Sequence, residues 1–183
     1  MRSIDEARGL AEPLRVRNIG ADVAVGDWVI ASDDAERVEH VLERRSAFTR
    51  RASFDGMRAV SHTLAANIDV GFLVHALGSP PSPRRLEREL VLAFDSGAEP
   101  VVVLTKTDLV DDPEPGRVAL QDVALGVPGL LASGISGDGI DAIRDYAVGI
   151  RTLTFLGASG VGKSTLVNAL VGAERQATSA VRE

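Results

Sequence analysis

Only two lysines, Lys106 and Lys163, stand among the 20 basic residues of this 183-residue chain; every other basic side chain is arginine. Arginine-rich usage reflects genome composition. Against that background a lysine marks a position where a compact ammonium is wanted and a planar fork would not fit. Lys163 sits in Gly157-Ala158-Ser159-Gly160-Val161-Gly162-Lys163-Ser164-Thr165, which matches G-x-x-x-x-G-K-[ST] at every fixed position. Glycines let such a backbone turn tightly, so that successive N–H groups point inward around phosphate oxygens. A helix beginning near Gly162 adds its positive end to the same place. Lys163 is then the candidate catalytic residue, reaching the β- and γ-phosphates. The Ser164 hydroxyl is the candidate Mg²⁺ ligand, and Thr165 contributes its backbone N–H. The competing reading, a glycine-rich turn that matches by accident, should arise in under about one chain in a hundred of this length.

Lys106 lies in Thr105-Lys106-Thr107-Asp108, at the end of an apolar run. An aspartate in such a loop accepts two hydrogen bonds from guanine, one from N1–H and one from the 2-amino group. Adenine has no 2-amino group and an acceptor at N1, so it would leave the carboxylate unpaired. A polar site that loses its partners rejects the analogue by on the order of 10⁴-fold in favourable cases. The alkyl stem of Lys106 can cover the base while its head stays polar. Alone, the four residues read more readily as a strand-ending turn with solvated charges. A second strand end, "LLASGISGDG", adds Ser133 and Gly134 as a source of backbone N–H groups for the guanine oxygen.

These loops need elements to hold them. Residues 1–62 carry short, partly alternating runs, "LRVRNIG", "GDWVIAS" and "ERVEHVLERR", with turn chemistry at Asp33 and Asp34. They predict a small β-barrel with Trp28 in its core. From about 63 the pattern becomes that of buried strands alternating with helices. "IDVGFLVHAL", "PVVVLTKTDL", "VPGLLASG" and "RTLTFLG" are the strands. Between them lie a helix started by Ser82 and Pro83, whose Leu86, Leu90, Ala93 and Phe94 share one face, and a weakly helical stretch from 114 to 125. "DGIDAIRDYAV" is a third helix, and "GKSTLVNALVG" a fourth that ends near Gly172. This alternation predicts an α/β fold with a parallel, doubly wound sheet over 63–183, its ligands at the carboxyl ends of the strands.

Composition narrows the class. The hydrophobic fraction is 45% and the charged fraction 25%, ordinary for a globular protein. No window approaches the roughly 18 apolar residues of a membrane span, and the opening residues lack a signal-peptide core. With no cysteine, disulfides and thiolate metal sites are excluded, and a reducing cytoplasm fits. A net charge of −6 argues against non-specific coating of nucleic acid, DNA included.

The order of the loops, base loop first, then "ASG", then phosphate loop, reverses that of an ordinary GTPase. The chain resembles the circularly permuted ribosome small subunit-dependent GTPase A family. Further matches are "VGDWV" (25–29), "AANID" (65–69), residues 84–109 and residues 155–172, and "QATSAVRE" (176–183) resembles the lead into the first switch. The resemblance implies an RNA-contacting OB-type barrel followed by a permuted GTPase domain. It implies GTP and GDP as ligands with Mg²⁺, the small (30S) ribosomal subunit and its rRNA as partners, and hydrolysis stimulated by the ribosome. Arg44, Arg45, Arg50 and Arg51, interleaved with Phe48 and Phe54, become candidate RNA contacts. Zinc is implied for full-length members, but this chain holds no ligands for it.

Where the family begins its base motif with asparagine, Thr105 stands. Its shorter side chain is expected to give up a contact to the guanine and a bond bracing the phosphate loop, roughly 1 kcal/mol. The chain is also expected to be truncated at both ends, to lack switch segments, and so to hydrolyse almost no GTP itself. His40, His62 and His75 lack metal spacing and read as structural. Two other readings stay open: an ATP-binding P-loop ATPase of the transporter or kinase type, and a non-hydrolysing, nucleotide-gated RNA-binding module.

Overall fold

The computed structural model describes residues 2–5, 9–13, 15–18, 22–51, 61–78, 83–124 and 126–172. Ser82, Phe54, the side chains of Arg50 and Arg51, and the closing segment 176–183 lie outside what is described. The chain divides into two compact units, Met1–Asn67 and Ile68–Glu183.

The described residues of the first unit form three antiparallel two-stranded ladders. β1 (Arg2–Asp5) pairs with β2 (Gly9–Pro13), β3 (Val29–Ala31) with β4 (Val38–Val41), and β5 (Ala47–Arg51) with β6 (Ser61–Ala66). The division falls at 67, not at 62, because β6 is the partner of β5 and belongs with it. The described part of the run "LRVRNIG", residues 15–18, contributes one bridge, Arg17 to Arg37. Two segments forty residues apart, "VGDWV" and "AANID", interlock. Val25 bridges Ala65, and the Asn67 amide donates to the Gly26 carbonyl at 3.0 Å while accepting the Arg45 N–H at 2.9 Å. Asn67 adopts a left-handed backbone (φ 54°), a conformation that asparagine tolerates better than most residues. Trp28 does not sit in a core: it is 51% exposed. The alternation of the β3–β4 hairpin explains this, since Trp28, Ile30 and Leu42 share its open face while Val29 and Val41 turn the other way. Phe48 is buried and serves as core.

The second unit is a four-stranded parallel sheet in the order β10-β7-β8-β9. β7 (Val70–Ala76) is buried along its whole length, as its unbroken apolar run requires. α1 (Pro83–Ser96) follows, then β8 (Glu99–Thr105), a single 3₁₀ turn at Thr107–Leu109 and α2 (Glu114–Val123). β9 (Gly129–Ala132), α3 (Ile140–Asp145), β10 (Leu153–Leu156) and α4 (Lys163–Val171) complete it. Leu86, Leu90 and Ala93 bury the inner face of α1, but Phe94 is 59% exposed and is not part of that face. At 100° per residue it lies some 100° round from Ala93, on the flank of the stripe. The core joins Val70, Phe72 and Val74 of β7 to Val101 and Val103 of β8, with Ile140, Ile143 and Leu166 from the helices. The Phe72 ring stacks on Phe155 at 5.0 Å and meets Tyr146 edge-on at 5.6 Å.

Strands β7, β8 and β9 run outward in sequence order, after which the chain returns across the sheet to lay β10 on the other side of β7. Sequential connections therefore diverge between β10 and β7. A crevice opens beyond the carboxyl ends at such a switch point, and ligands of doubly wound sheets bind there.

Candidate functional site

The loop 157–162 leaves β10 at this switch point. Gly157 passes so close to β7 that a Cβ there would stand 2.3 Å from the Val74 carbonyl oxygen; only glycine fits. Gly162 takes a left-handed backbone (φ 99°) and starts α4 without any side-chain cap. The first N–H groups of the helix are thus left without a side-chain oxygen at the terminus, the arrangement that favours an anion. The Lys163 ammonium folds back over the loop and donates to the carbonyls of Gly157 (3.0 Å) and Ala158 (2.6 Å). A cation held against a glycine-rich loop at a helix N-terminus suits a phosphate. Ser164, in the first turn of α4, offers a hard hydroxyl oxygen of the kind Mg²⁺ takes. The glycine cradle, the lysine and the hydroxyl all fit a nucleoside phosphate with its metal ion.

The second loop leaves β8, two strands from β10. Thr105 is 2% exposed, and its Oγ1 lies 2.5 Å from the Val161 carbonyl and 3.1 Å from the His75 carbonyl. The expected loss of the brace is therefore corrected: threonine keeps it. The hydroxyl reaches because the phosphate loop comes close, a Cβ on Gly162 standing only 3.5 Å from Thr105 Oγ1. Lys106 follows with a left-handed backbone (φ 63°), a strained setting for a non-glycine residue, and this turns the chain into the 3₁₀ turn that carries Asp108.

Asp108 is gripped from β9. The buried Ser133 hydroxyl donates to Asp108 Oδ1 at 2.5 Å and accepts the N–H groups of Ile135 and Ser136, each at 3.1 Å. The Ser133 N–H is itself spent on the Asp138 carbonyl at 2.9 Å. Of the pair Ser133 and Gly134, Ser133 therefore offers no backbone donor to a ligand, which corrects its expected role; its side chain positions Asp108 instead. Gly134 packs against α4, where a Cβ would come within 2.8 Å of the Thr165 carbonyl carbon. The Thr107 hydroxyl is buried and has no hydrogen-bond partner among the described residues.

Sequence reasoning gives no place to the partners that join these loops. The carbonyls of Val161 and His75 belong to no motif, since any residue has one. His75 carries a second link: its Nε2 lies 2.8 Å from Glu89 Oε2 on α1, an ion-pair contact whose ring N–H is not aimed along the hydrogen-bond direction. Arg85 donates to the other Glu89 oxygen at 3.0 Å. Burial works to raise the Glu89 carboxyl, but His75 and Arg85 together hold it below the ordinary range. Among the described residues no three metal-ligating side chains come together.

Arg44 is corrected. Its guanidinium forks onto Asp27 with both bonds at 2.7 Å and donates to Thr63 at 2.8 Å, so it braces the first unit and is not held out to RNA. Arg45 remains exposed.

A family model described as RsgA GTPase matches residues 41–183. The small ribosomal subunit biogenesis GTPase RsgA of Methanosarcina acetivorans is 39% identical over 172 residues, 92% of this chain and 46% of that protein. The corresponding RsgA 1 of Listeria innocua is 40% identical over 160 residues, 87% of this chain and 45% of that protein. The chain thus spans about half the length of the curated relatives it matches. Among solved structures, YjeQ from Thermotoga maritima is similar with a TM-score of 0.63 at 29% identity, over 85% of this chain and 55% of that one. YloQ, a circularly permuted GTPase, matches with a TM-score of 0.56 at 25% identity, over 84% and 54%.

Proposed function

This chain belongs to the RsgA GTPase family, and from that premise we propose that it holds GTP and GDP at the switch point between β10 and β7. The observation that carries the reading is the closure of the two loops on each other through Thr105 and Val161. Nothing in a fortuitous glycine-rich turn requires a separate strand end to reach across and hold it. In this reading residues 157–165 wrap the phosphates, and Lys163 moves from the loop carbonyls to the β- and γ-oxygens, where it neutralises charge. The Ser164 hydroxyl would hold Mg²⁺, which when bound would offset the negative charge of the phosphates. Asp108, oriented by Ser133, accepts from guanine N1–H and the 2-amino group. The Gly134 N–H donates to O6, and the Lys106 stem lies over the face of the base.

For the whole protein we propose hydrolysis of GTP to GDP and phosphate in the maturation of the small ribosomal subunit, with the ribosome as stimulating partner. The first unit is then an OB-type barrel that contacts rRNA, with Arg45 as one contact, and the second a circularly permuted GTPase domain. The cytoplasm is the compartment this work needs. No described helix is long and apolar enough to cross a membrane.

Titration of the chain with fluorescent GDP and ADP, alongside Lys163→Ala and Asp108→Ala, tests the site. GDP-selective binding that both variants lose supports it. Equal binding of ADP would favour a P-loop ATPase. Added small ribosomal subunits should raise the GTPase rate of the whole protein; a rate unaltered by them would leave a nucleotide-gated binding module.

A further inference from the structure

We propose that α1 carries a self-complementary docking face, through which two copies of this chain pair antiparallel about a two-fold axis. The proposal concerns a face that the nucleotide site does not use, and it goes beyond the function proposed above.

α1 buries Leu86, Leu90 and Ala93 against the sheet. At 100° per residue its opposite face carries Arg88, Val91, Leu92 and Asp95, the i, i+3, i+4, i+7 spacing of a helix seam. All four are exposed, Val91 at 57% and Leu92 at 52%, and the exposed Phe94 widens the apolar strip on one flank. The outer face of a surface helix is ordinarily polar, so a Val–Leu pair at its middle needs a reason. Among the described residues the side chains of Arg88 and Asp95 have no ion-pair or hydrogen-bond partner, whereas Arg85 and Glu89 of the same helix bond to each other.

The charges also run the wrong way for the helix itself. Its first turn holds no acidic residue and its last turn no basic one; Arg84 stands near its start and Asp95 near its end. The helix dipole disfavours cations at the amino end and anions at the carboxyl end. A second α1 laid antiparallel offsets both, because it sets the basic half of each helix beside the acidic end of the other. With the two-fold axis between Val91 and Leu92, Arg88 of each copy meets Asp95 of the other, and Val91 meets Leu92. The two pairs agree in angle as well as in height, since both are centred on the same point of the helix. Such a contact uses one patch twice. That match selects a copy of this chain as the occupant: the face is basic at one end, apolar in the middle, acidic at the other, and complements itself when turned. A nucleic acid would instead set phosphate against Asp95.

α1 has 14 residues, about four turns. One helix pair is small beside the roughly 800 Å² per partner of a stable interface, so the dimer is weak, with a dissociation constant on the order of 10⁻⁴ M.

The test is sedimentation equilibrium of the 183-residue chain from about 10 μM to about 0.5 mM, a range that brackets that constant. The expected mass rises from that of one chain towards that of two. Arg88→Asp alone and Asp95→Arg alone each set like charges together at both symmetric contacts, and each should weaken the dimer at least about tenfold. An equimolar mixture of the two variants restores opposite charges at both contacts and should dimerise within about threefold of the wild-type chain. Circular dichroism checks that each variant is folded. A wild-type chain that stays monomeric throughout overturns the proposal and gives the face to another occupant. A dimer that neither variant weakens, or that the mixture fails to restore, overturns it too, because the copies then meet by another face or another register.

Discussion

Thr105→Val replaces a hydroxyl by a methyl of nearly the same shape and so isolates the bond that joins the two loops. The wild-type oxygen sits 2.5 Å from the Val161 carbonyl in a residue only 2% exposed. Removing it deletes one intramolecular hydrogen bond and leaves a carbonyl facing a methyl group. The first loss is about 1 kcal/mol and the second adds up to about 1–2 kcal/mol, depending on how much water reaches Val161. A destabilisation of about 1–3 kcal/mol follows, or roughly 3–12 °C in Tm of the second unit. Affinity should fall too, because a loop no longer held must be ordered by the nucleotide: about 1–2 kcal/mol of lost preorganisation is roughly 5- to 30-fold in Kd. Fluorescent GDP titration reads the second effect and thermal unfolding the first. Thr105→Ser keeps the hydroxyl and should recover most of the affinity. A Thr105→Val chain that binds GDP within twofold of wild type would refute the idea that this hydroxyl organises the phosphate loop.

Gly134→Ala should cost about 1–3 kcal/mol and weaken GDP binding, since its Cβ meets the Thr165 carbonyl carbon at 2.8 Å and oxygen at 2.9 Å. Adding Thr165→Ser removes only the methyl, so thermal unfolding should show little rescue. In the first unit, hydrogen bonds from Arg44 hold the Asp27 carboxyl below the ordinary range. A depressed carboxyl contributes stability above its unfolded value, near 3.9, which is lost as pH falls through the folded value. Asp27→Asn should therefore destabilise this unit at pH 7 and flatten its acid unfolding, read by intrinsic fluorescence of Trp28 against urea. Glu89 has the same sign, so Glu89→Gln should also cost stability at pH 7 and less at acid pH, read by hydrogen exchange across β7 and α1.

The phosphate loop was legible because every atom it uses is backbone, lysine or hydroxyl at fixed local spacing, and the strand and helix that hold it announce themselves by period. Asp108 was legible as a strand-end carboxylate, and the buried runs of β7 and β8 fixed the parallel sheet. The first unit was less so: its ladders are three to six residues long, too short for alternation to say which face is covered. Trp28, expected in a core, is half exposed, Phe48 is buried, and Arg44 proved to be a brace. Phe94 fell off its helix face because a 100° step is enough to cross from core to solvent.

By itself, then, the sequence determined which side chains are candidates for the chemistry and which elements end in them. What only the tertiary structure decided is the wiring between loops remote in the chain: Thr105 to Val161, Ser133 to Asp108, Gly134 against Thr165. Thr105 reaches a backbone carbonyl and Gly134 packs on backbone atoms that every residue possesses, so no residue type signals those two links, while Ser133 and Asp108 join side chains that lie on separate strand ends. Pairing of β9 on β8 brings Ser133 to Asp108, and the return crossover that lays β10 beside β7 brings the loop 157–162 and α4 to Thr105 and Gly134.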